Sequence, residues 1–483
     1  MKKKTFCIRM LQTIGFLVLL LIALYFFRKV FFFKSSDGIF NMTKFYEQEE
    51  NTVDVLVLGS SHAYTGISTA ELWDSYGIAA YVLGGSEQTM WNSYYYLEEA
   101  LKTQTPKLIV LEGYMTTYAE DYQSTARIIC NTYGMKWSNT KKEAIEASVP
   151  EDERMAYYLE YMQYHARYSE LTATDFLDNM GDSKYENWKG YVCNTVIMGV
   201  GGIDNTAVAE RKTMSAKSET YFRKIMTLAK EHDIPVCVVI TPYTTLSLED
   251  KQIYNTVSDI CKEYNAGFVN YNVDVLELNL DTALDFSDEV HLNDTGSEKL
   301  SKVFGAYIKE NYEIPDRRDD EKWITWEQDA RYVERIQENK AFTKNVTVTE
   351  ALAAAEERNY TLFVSASKAV TDEVKGLLAE LDGVECEELR YMQMMCYQDG
   401  KISYMNADND MDTHALEFDR ETVVFKKETD AEGQMVNKVY VDGNCIEKIQ
   451  DGYNVIVYDE VTESVVDIFG IWSKSPEECI RSF

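Results

Sequence analysis

The sequence predicts an α/β fold: a three-layer parallel sheet with a helical insertion, an N-terminal transmembrane helix and a smaller C-terminal α+β domain. Three observations predict it. Between residues 50 and 315, short apolar runs rich in β-branched residues alternate with stretches of helical spacing, as strands and crossover helices do in a parallel sheet. Over about 119–217 that rhythm breaks, and Tyr, Met and charged residues replace the apolar runs. The chain opens on an uncharged stretch from Met10 to Phe27, and its composition shifts again beyond Ile314.

The opening stretch is preceded by Lys2, Lys3, Lys4 and Arg9 and followed by Arg28, Lys29 and Lys34. About 20 apolar residues cross a bilayer core, and this run is just long enough. The residues after Ala23 are Leu24, Tyr25, Phe26 and Phe27, a poor cleavage site, so residues 1–35 read as an uncleaved anchor rather than a signal peptide. The positive N-terminus places the first residues inside. The expectation is a single-pass protein of the cell membrane with the bulk of the chain extracytoplasmic.

Residues 50–315 form the main domain. Val53 to Leu58 (VDVLVL) reads as a buried strand stopped by Gly59, Ser60 and Ser61. A short helix follows from Ala70, then a strand from Ala80 to Leu83 ended by Gly84 and Gly85, a helix from Trp91 and a strand from Leu108. The insertion at about 119–217 reads as mainly helical, a substrate wall or extra packing over the sheet. Alternation resumes with a helix from Glu219, a strand at Val236–Ile240, a helix from Ser247 and a strand at Phe268–Asn270. A polar loop then carries Asp285 to His291, and a helix from Gly296 closes the domain. The wholly charged run from Asp316 to Lys322 reads as a linker. Residues 340–483 read as the α+β domain, with strands at Tyr360–Val364, Lys438–Val441 and Tyr453–Tyr458.

Charge and cysteine usage exclude several functions. A formal net charge of −32 over 483 residues repels phosphate, so no nucleic-acid partner is expected. The nine cysteines form no C-x-x-C pair, and no metal and no cofactor is expected. Cys237, inside an apolar strand, reads as a small core residue.

The chemistry points to a serine at a strand-to-helix turn. Ser61 falls at the carboxyl edge of the sheet, where open α/β sheets bind their ligands. A serine hydroxyl needs a base to take its proton and a group behind that base to orient it. With five histidines in the chain, the choice of base is short. His232 sits near a helix end before the strand at Val236, His414 lies in the C-terminal domain, and His165, with Arg167 in YHARYSEL, reads first as a helix residue and only second as site lining. His62 adjoins the serine. His291 sits in the polar loop with Asp288 three residues before it, so one loop presents a base and its orienting acid.

These blocks resemble the SGNH (GDSL) hydrolase superfamily. There a G-D-S block after the first strand carries the nucleophile, and a late D-x-x-H block carries the acid and base. Here the blocks read Gly59, Ser60, Ser61, His62 and Asp288, Glu289, Val290, His291, Leu292, Asn293. The resemblance implies a catalytic Ser61, Asp288 and His291. Two departures stand out: Ser60 replaces the usual aspartate, and the G-x-N-D block is replaced by Leu111, Glu112, Gly113, Tyr114. The expected oxyanion donors are therefore the backbone of Ser61 and of Gly84 or Gly85, with Gln88 or Asn92 as side-chain donors. His62 and Glu112 are expected to line the site. Within the superfamily the chain looks most like the membrane-anchored group that includes the teichoic-acid D-alanylation protein DltD. That likeness implies an esterase or O-acyltransferase acting on a cell-envelope polysaccharide or teichoic-acid-like polymer, with a membrane-bound O-acyltransferase as partner. The alternative is a non-catalytic scaffold of the same fold that binds the polymer or that partner. Val439 to Gly470 resembles the interleukin-like EMT inducer domain, which implies a small sugar- or protein-binding module.

Overall fold

The computed structural model describes residues 2–33, 38–169, 171, 175–176, 188–366, 370–385, 394–405, 414–417, 422–429, 433 and 435–481. They divide into two compact units, Met1–Ala330 and Arg331–Phe483.

Among the described residues of the first unit, β1 (Val55–Gly59), β2 (Ala80–Gly84), β3 (Leu108–Glu112), β4 (Val236–Ile240) and β5 (Gly267–Asn270) form one parallel sheet in the order β2-β1-β3-β4-β5. Strands β1 to β4 are buried at every position because both faces are covered, and their runs are apolar except for Glu112 at the end of β3. Val55, Val57, Val82, Val110 and Val239 pack under Leu72, Leu300, Phe304 and Ile308, from the helices Thr69–Tyr76 and Asp294–Asn311. Alternation puts Leu56, Leu58, Ile109, Leu111 and Val238 on the opposite face. There the helix Met90–Ala100 packs on β1 and against the helix Ala216–Glu231. This is the flavodoxin strand order, and its topological switch point lies between β1 and β3. Both strands end there, one on Gly59 and the other on Glu112.

The helices begin where the sequence supplies caps. Ser68 accepts from the Glu71 N–H, and the helix it starts stops at Gly77, which adopts φ +61°. Ser247 and Asp250 form a capping box on Leu248–Glu263.

Among the described residues the insertion carries the helices Thr125–Thr132, Asn139–Ser148, Arg154–Tyr158 and Tyr161–Tyr164. The expectation of a mainly helical insertion does not hold for residues 192–215, which carry no helix. Their glycines and scattered apolar residues offer no helical face. The segment instead bonds through its backbone to the helix Ser61–Gly66 and to the loop before Asp294: Val192 N–H to Tyr64 O at 2.8 Å, Met198 N–H to Phe286 O at 2.8 Å and Val200 N–H to Thr282 O at 2.9 Å.

Just before this segment, the Lys189 carbonyl accepts the Val82 N–H at 2.8 Å, which covers the free edge of β2. Gly190 makes this approach with φ +84°, and a Cβ there would sit 1.8 Å from Val82 O. Gly190→Ala therefore adds backbone strain to a backbone clash. It is expected to destabilise this unit by more than about 2 kcal/mol in urea unfolding.

The charged run Asp316–Lys322 is folded onto the sheet unit. Arg317 forks onto the buried Asp54 carboxylate at 2.6 and 3.1 Å, and Lys107 holds the same carboxylate at 2.6 Å. Trp323 and Trp326 donate their indole N–H groups to Thr52 O and Ala80 O at 2.7 and 2.9 Å.

In the second unit, among the described residues, an antiparallel sheet runs β15-β14-β13-β6-β7-β8 and a smaller one β12-β11-β10-β9; here β6 is Thr361–Ala366, β7 Met394–Gln398, β8 Lys401–Met405, β9 His414–Glu417, β10 Thr422–Thr429, β11 Met435–Val441, β12 Asn444–Ile446, β13 Gly452–Asp459, β14 Ser464–Trp472 and β15 Ser475–Ile480. Leu362, Val364, Val455 and Val457 face the helices Val348–Glu357 and Asp372–Leu378, while Phe363, Ile456 and Tyr458 face Val423, Phe425 and Val439 of the smaller sheet.

At the start of the first unit, the helix Lys2–Phe31 contains a stretch, Ile8–Phe31, long and apolar enough to cross a bilayer or to serve as a signal sequence. The described cysteines Cys130, Cys193, Cys237, Cys261, Cys396, Cys445 and Cys479 are free thiols, and Cys237 is fully buried in the sheet.

Candidate active site

The turn after β1 is built around Gly59. A Cβ at this position would lie 2.7 Å from the Glu112 Cβ and 2.9 Å from the Ala63 Cβ, so any larger residue would push the turn off β3. Ser60 then takes an extended conformation as N-cap, and its carbonyl accepts the Ala63 and Tyr64 N–H groups at 2.9 and 3.3 Å. Ser61 is the first residue of the helix Ser61–Gly66, where a backbone N–H has no intrahelical acceptor.

The second element is the loop before the helix Asp294–Asn311. Phe286 and Leu292 pair across it and bury their side chains in the core. Asn293 ties its base: Oδ1 accepts the Gly296 N–H at 3.1 Å, and Nδ2 donates to Leu284 O at 2.7 Å and Val196 O at 3.2 Å. Between these anchors, Asp288 Oδ1 accepts the Val290 and His291 N–H groups at 2.9 and 2.8 Å. The same carboxylate meets the His291 ring, with Nδ1 at 2.8 Å from Oδ2 and 3.0 Å from Oδ1.

The other face of that ring reaches Ser61. His291 Nε2 lies 2.7 Å from Ser61 Oγ, across 230 positions of sequence. Hydroxyl, imidazole and carboxylate therefore form one hydrogen-bonded line. With Nδ1–H donated to the acid, Nε2 is left as the acceptor of the hydroxyl proton. Partial burial opposes ionisation of Asp288. The hydrogen bonds from His291 and from the Val290 N–H outweigh it and hold the carboxyl below its usual range. Asp288 is 47% exposed and His291 23%, so the line opens to solvent at its acid end.

His62 and Glu112 also lie at this switch point. The His62 ring centroid is 5.2 Å from that of His291, stacks on Tyr114 at 3.7 Å and meets Tyr243 edge-on at 5.4 Å. Its Nδ1 is 3.2 Å from Thr241 Oγ1, and Thr241 donates in turn to Glu112 Oε1 at 3.4 Å. Because the Thr241 proton goes to Glu112, His62 supplies its own Nδ1–H to Thr241. Complete burial, helped by the charge of His291, holds the His62 ring well below its usual value, so it stays neutral. Glu112 is also fully buried, and desolvation pushes its carboxyl up to about 8 despite the hydrogen bonds from Tyr114 and Thr241. One more atom of each group, His62 Nε2 and Glu112 Oε2, is buried without a hydrogen-bond partner.

The side-chain oxyanion donors expected from the sequence are engaged elsewhere. Asn92 is the third residue of a capping box: its Oδ1 accepts from Thr89, and its Nδ2 donates to Ser148 Oγ at 3.3 Å. Gln88 donates its amide to Leu83 O at 3.2 Å and Ser93 Oγ at 3.1 Å. The Gly85 N–H points back to Gly59 O at 3.4 Å, which ties the end of β2 to the nucleophile turn. Gly84 lies beside that turn, with the site of its missing Cβ 3.6 Å from Ser60 O. Of the other expected donors, Ser61 presents its N–H at the first turn of its helix, and Gly84 ends β2 with its carbonyl accepting from Asn41 Nδ2 at 3.0 Å. The side chain of His165 lies outside the described residues, and Arg167 is bound to Phe31 O and Phe32 O, in the N-terminal segment. No group of His, Cys, Asp and Glu among the described residues is arranged to hold a metal ion.

No protein-family model matches the sequence, and the search of curated proteins found no match. Among solved structures, a Bacteroides fragilis protein named as an acylhydrolase aligns with 58% of this chain and 98% of its own, at 12% identity and a TM-score of 0.28. A gut microbial diltiazem-metabolizing enzyme aligns with 56% of this chain and 48% of its own, at 12% identity and a TM-score of 0.21. At these values neither likeness bears on what the chain does.

Proposed function

We propose that the chain is a serine esterase or O-acyltransferase. The observation that carries this reading is the line from Ser61 through His291 to Asp288, with 2.7 Å at the hydroxyl and 2.8 Å at the carboxylate. In the reaction, Ser61 Oγ attacks an ester carbonyl while His291 Nε2 takes its proton. Asp288 stabilises the imidazolium that forms. The tetrahedral intermediate collapses as His291 returns the proton to the departing alcohol, which leaves an acyl-serine. Water, or a hydroxyl of an acceptor polymer, then repeats the cycle in reverse. The oxyanion falls to backbone N–H groups at the first turn of the Ser61–Gly66 helix and beside Gly84. The neutral His62 and protonated Glu112 add no charge of their own to this developing anion.

The substrate class is carried over from the sequence resemblance to the membrane-anchored group and from the reading of the N-terminal helix as an anchor: acyl esters on an extracytoplasmic polysaccharide or teichoic-acid-like polymer. A membrane-bound O-acyltransferase would supply the acyl group in the transfer mode. The second unit is read as a binding module for that polymer. A non-catalytic scaffold is the second reading, favoured by the commitment of Asn92 and Gln88 to structural bonds.

The two readings separate in one assay. A fluorophosphonate probe is expected to modify the full-length protein at Ser61, and only there, with no labelling of Ser61→Ala. A protein that resists the probe, releases no acetate from acetyl esters and still binds polymer would establish the scaffold.

A further inference from the structure

The geometry points to a second membrane contact: the insertion segment from Arg154 to Ser169 lies in the bilayer interface beside the N-terminal helix, its exposed apolar side chains against lipid. The inference rests on the reading of Ile8–Phe31 as a spanning helix, and goes beyond it by placing part of the globular unit at a defined depth.

The depth comes from the helix itself. Centred on the uncharged run from Met10 to Phe27, the hydrocarbon core ends near Arg28 and Lys29. The Tyr161 hydroxyl donates to Leu24 O at 3.4 Å, and the Tyr161 ring lies 6.0 Å from that of Phe27. Leu24 is four residues before Arg28, roughly 6 Å along a helix axis. Tyr161 therefore sits at the boundary between acyl chains and headgroups, where tyrosine is favoured.

Its neighbours are apolar and face outward. Met155 is 62% exposed, Leu159 51%, Met162 50% and Tyr168 74%. Isolated exposed apolar residues need no explanation, but these stand in successive turns of which Tyr161–Tyr164 and His165–Ser169 pack on the N-terminal helix. The charges within the segment are quenched as a low-dielectric setting requires. Glu160 bridges Arg28 at 3.2 Å and the buried Lys141 at 2.7 Å. Arg167 caps the helix end through Phe31 O and Phe32 O at 2.9 and 2.8 Å and pairs with Asp175 at 3.2 Å. The backbone is paired as well, in successive short turns such as Leu159 N–H to Met155 O and Tyr164 N–H to Glu160 O. This matters because lipid offers an amide no partner. Before the patch stand Glu151, Asp152 and Glu153, all exposed, and these mark its water side.

Lipid rather than a second protein is the occupant because the depth is set by contacts inside this chain. At that depth an uncovered surface meets the bilayer by default. With a net charge of −32 the attachment has to be apolar, so it needs no anionic lipid. Two contacts, the spanning helix and this patch, fix the tilt of the sheet unit over the membrane, where one helix alone would let it swing.

The test uses the full chain in phosphatidylcholine vesicles. An environment-sensitive fluorophore is attached through Leu159→Cys, and its signal is taken relative to the parent protein labelled in the same way. Reference probes stand at Leu17→Cys, within the apolar run, and at Leu276→Cys, an exposed position of the same unit. Lipids brominated along the acyl chain, near its top and near its end, are expected to quench most of the emission at 159 and 17 and none at 276, with no effect of salt. A probe at 159 that stays bright while that at 17 is quenched would overturn the contact and leave the spanning helix standing. Bright probes at both positions would overturn the spanning reading and the contact with it. Quenching at 276 as strong as at 159 would show unspecific adsorption and overturn the contact.

Discussion

Replacing His291 by Ala, or Ser61 by Ala, is expected to lower kcat/KM on an acyl ester by on the order of 10⁴–10⁶ while leaving the fold intact. The size follows from the coupling. Removing either partner of the 2.7 Å contact abolishes the same proton transfer, so the double variant should lose little more than each single one. The fold is expected to survive because the loop is held by other residues. Leu292 and Phe286 anchor it in the core, and Asn293 caps the helix behind it. Steady-state kinetics with circular dichroism on the same samples checks both halves. Asp288→Asn should cost less than either. Its carboxylate is half exposed, and the Val290 and His291 N–H groups that it organises retain an amide oxygen as acceptor. A Ser61→Ala enzyme within tenfold of wild type would remove the serine from the reaction.

How much of this was legible in the sequence depends on how each feature is written there. Strand β1 and its serine were readable because a fully buried parallel strand leaves an unbroken apolar run, and VLVLG ends on a glycine that only a tight turn needs. Asp288 and His291 were readable because three residues of one loop can place two side chains on one side of it. Their meeting with Ser61 was a consequence of strand order, since a helix that starts at Asp294 returns to the sheet beside the turn after β1.

Other parts were hidden or misread. Thr241 and Tyr243 follow β4, Tyr114 follows β3, and only the packing of these strand ends encloses His62. No spacing in the sequence announces such a set. Asn92 was legible and misread: Thr89-Met90-Trp91-Asn92 at a helix start is a capping pattern, and the local bond took the side chain that the site was expected to use. The segment 192–215 fails as a helix for the opposite reason. Its backbone is held by distant groups, loop amides and carbonyls on one side and Lys251, Asn255 and Thr256 of the helix Leu248–Glu263 on the other, and pairing of that kind leaves no periodicity to read.

Glu112→Gln is expected to raise the stability of the sheet unit at pH 8 by on the order of 4 kcal/mol and to flatten its dependence on pH. In the unfolded chain a glutamate ionises near pH 4.5, whereas burial pushes Glu112 up to about 8. Between those values the folded protein holds a proton that the unfolded chain has released. Stability from this group is therefore complete below about pH 4.5 and is lost as pH rises through 8. The slope reaches about 1.4 kcal/mol per pH unit, enough to be resolved in urea unfolding against the other carboxylates of the chain. Glutamine keeps the acceptor oxygen that meets Tyr114 N–H and Thr241 Oγ1 and removes the titration. The same variant carries a kinetic consequence. Gly59 is in contact with Glu112, two residues before the nucleophile, so ionising the carboxyl places a negative charge beside the site of a developing oxyanion. Wild-type kcat/KM should bend downward above pH 8, and the Glu112→Gln profile should not. Parallel stability and activity profiles for the two proteins would show that Glu112 is ionised in the folded state and has no part in the site.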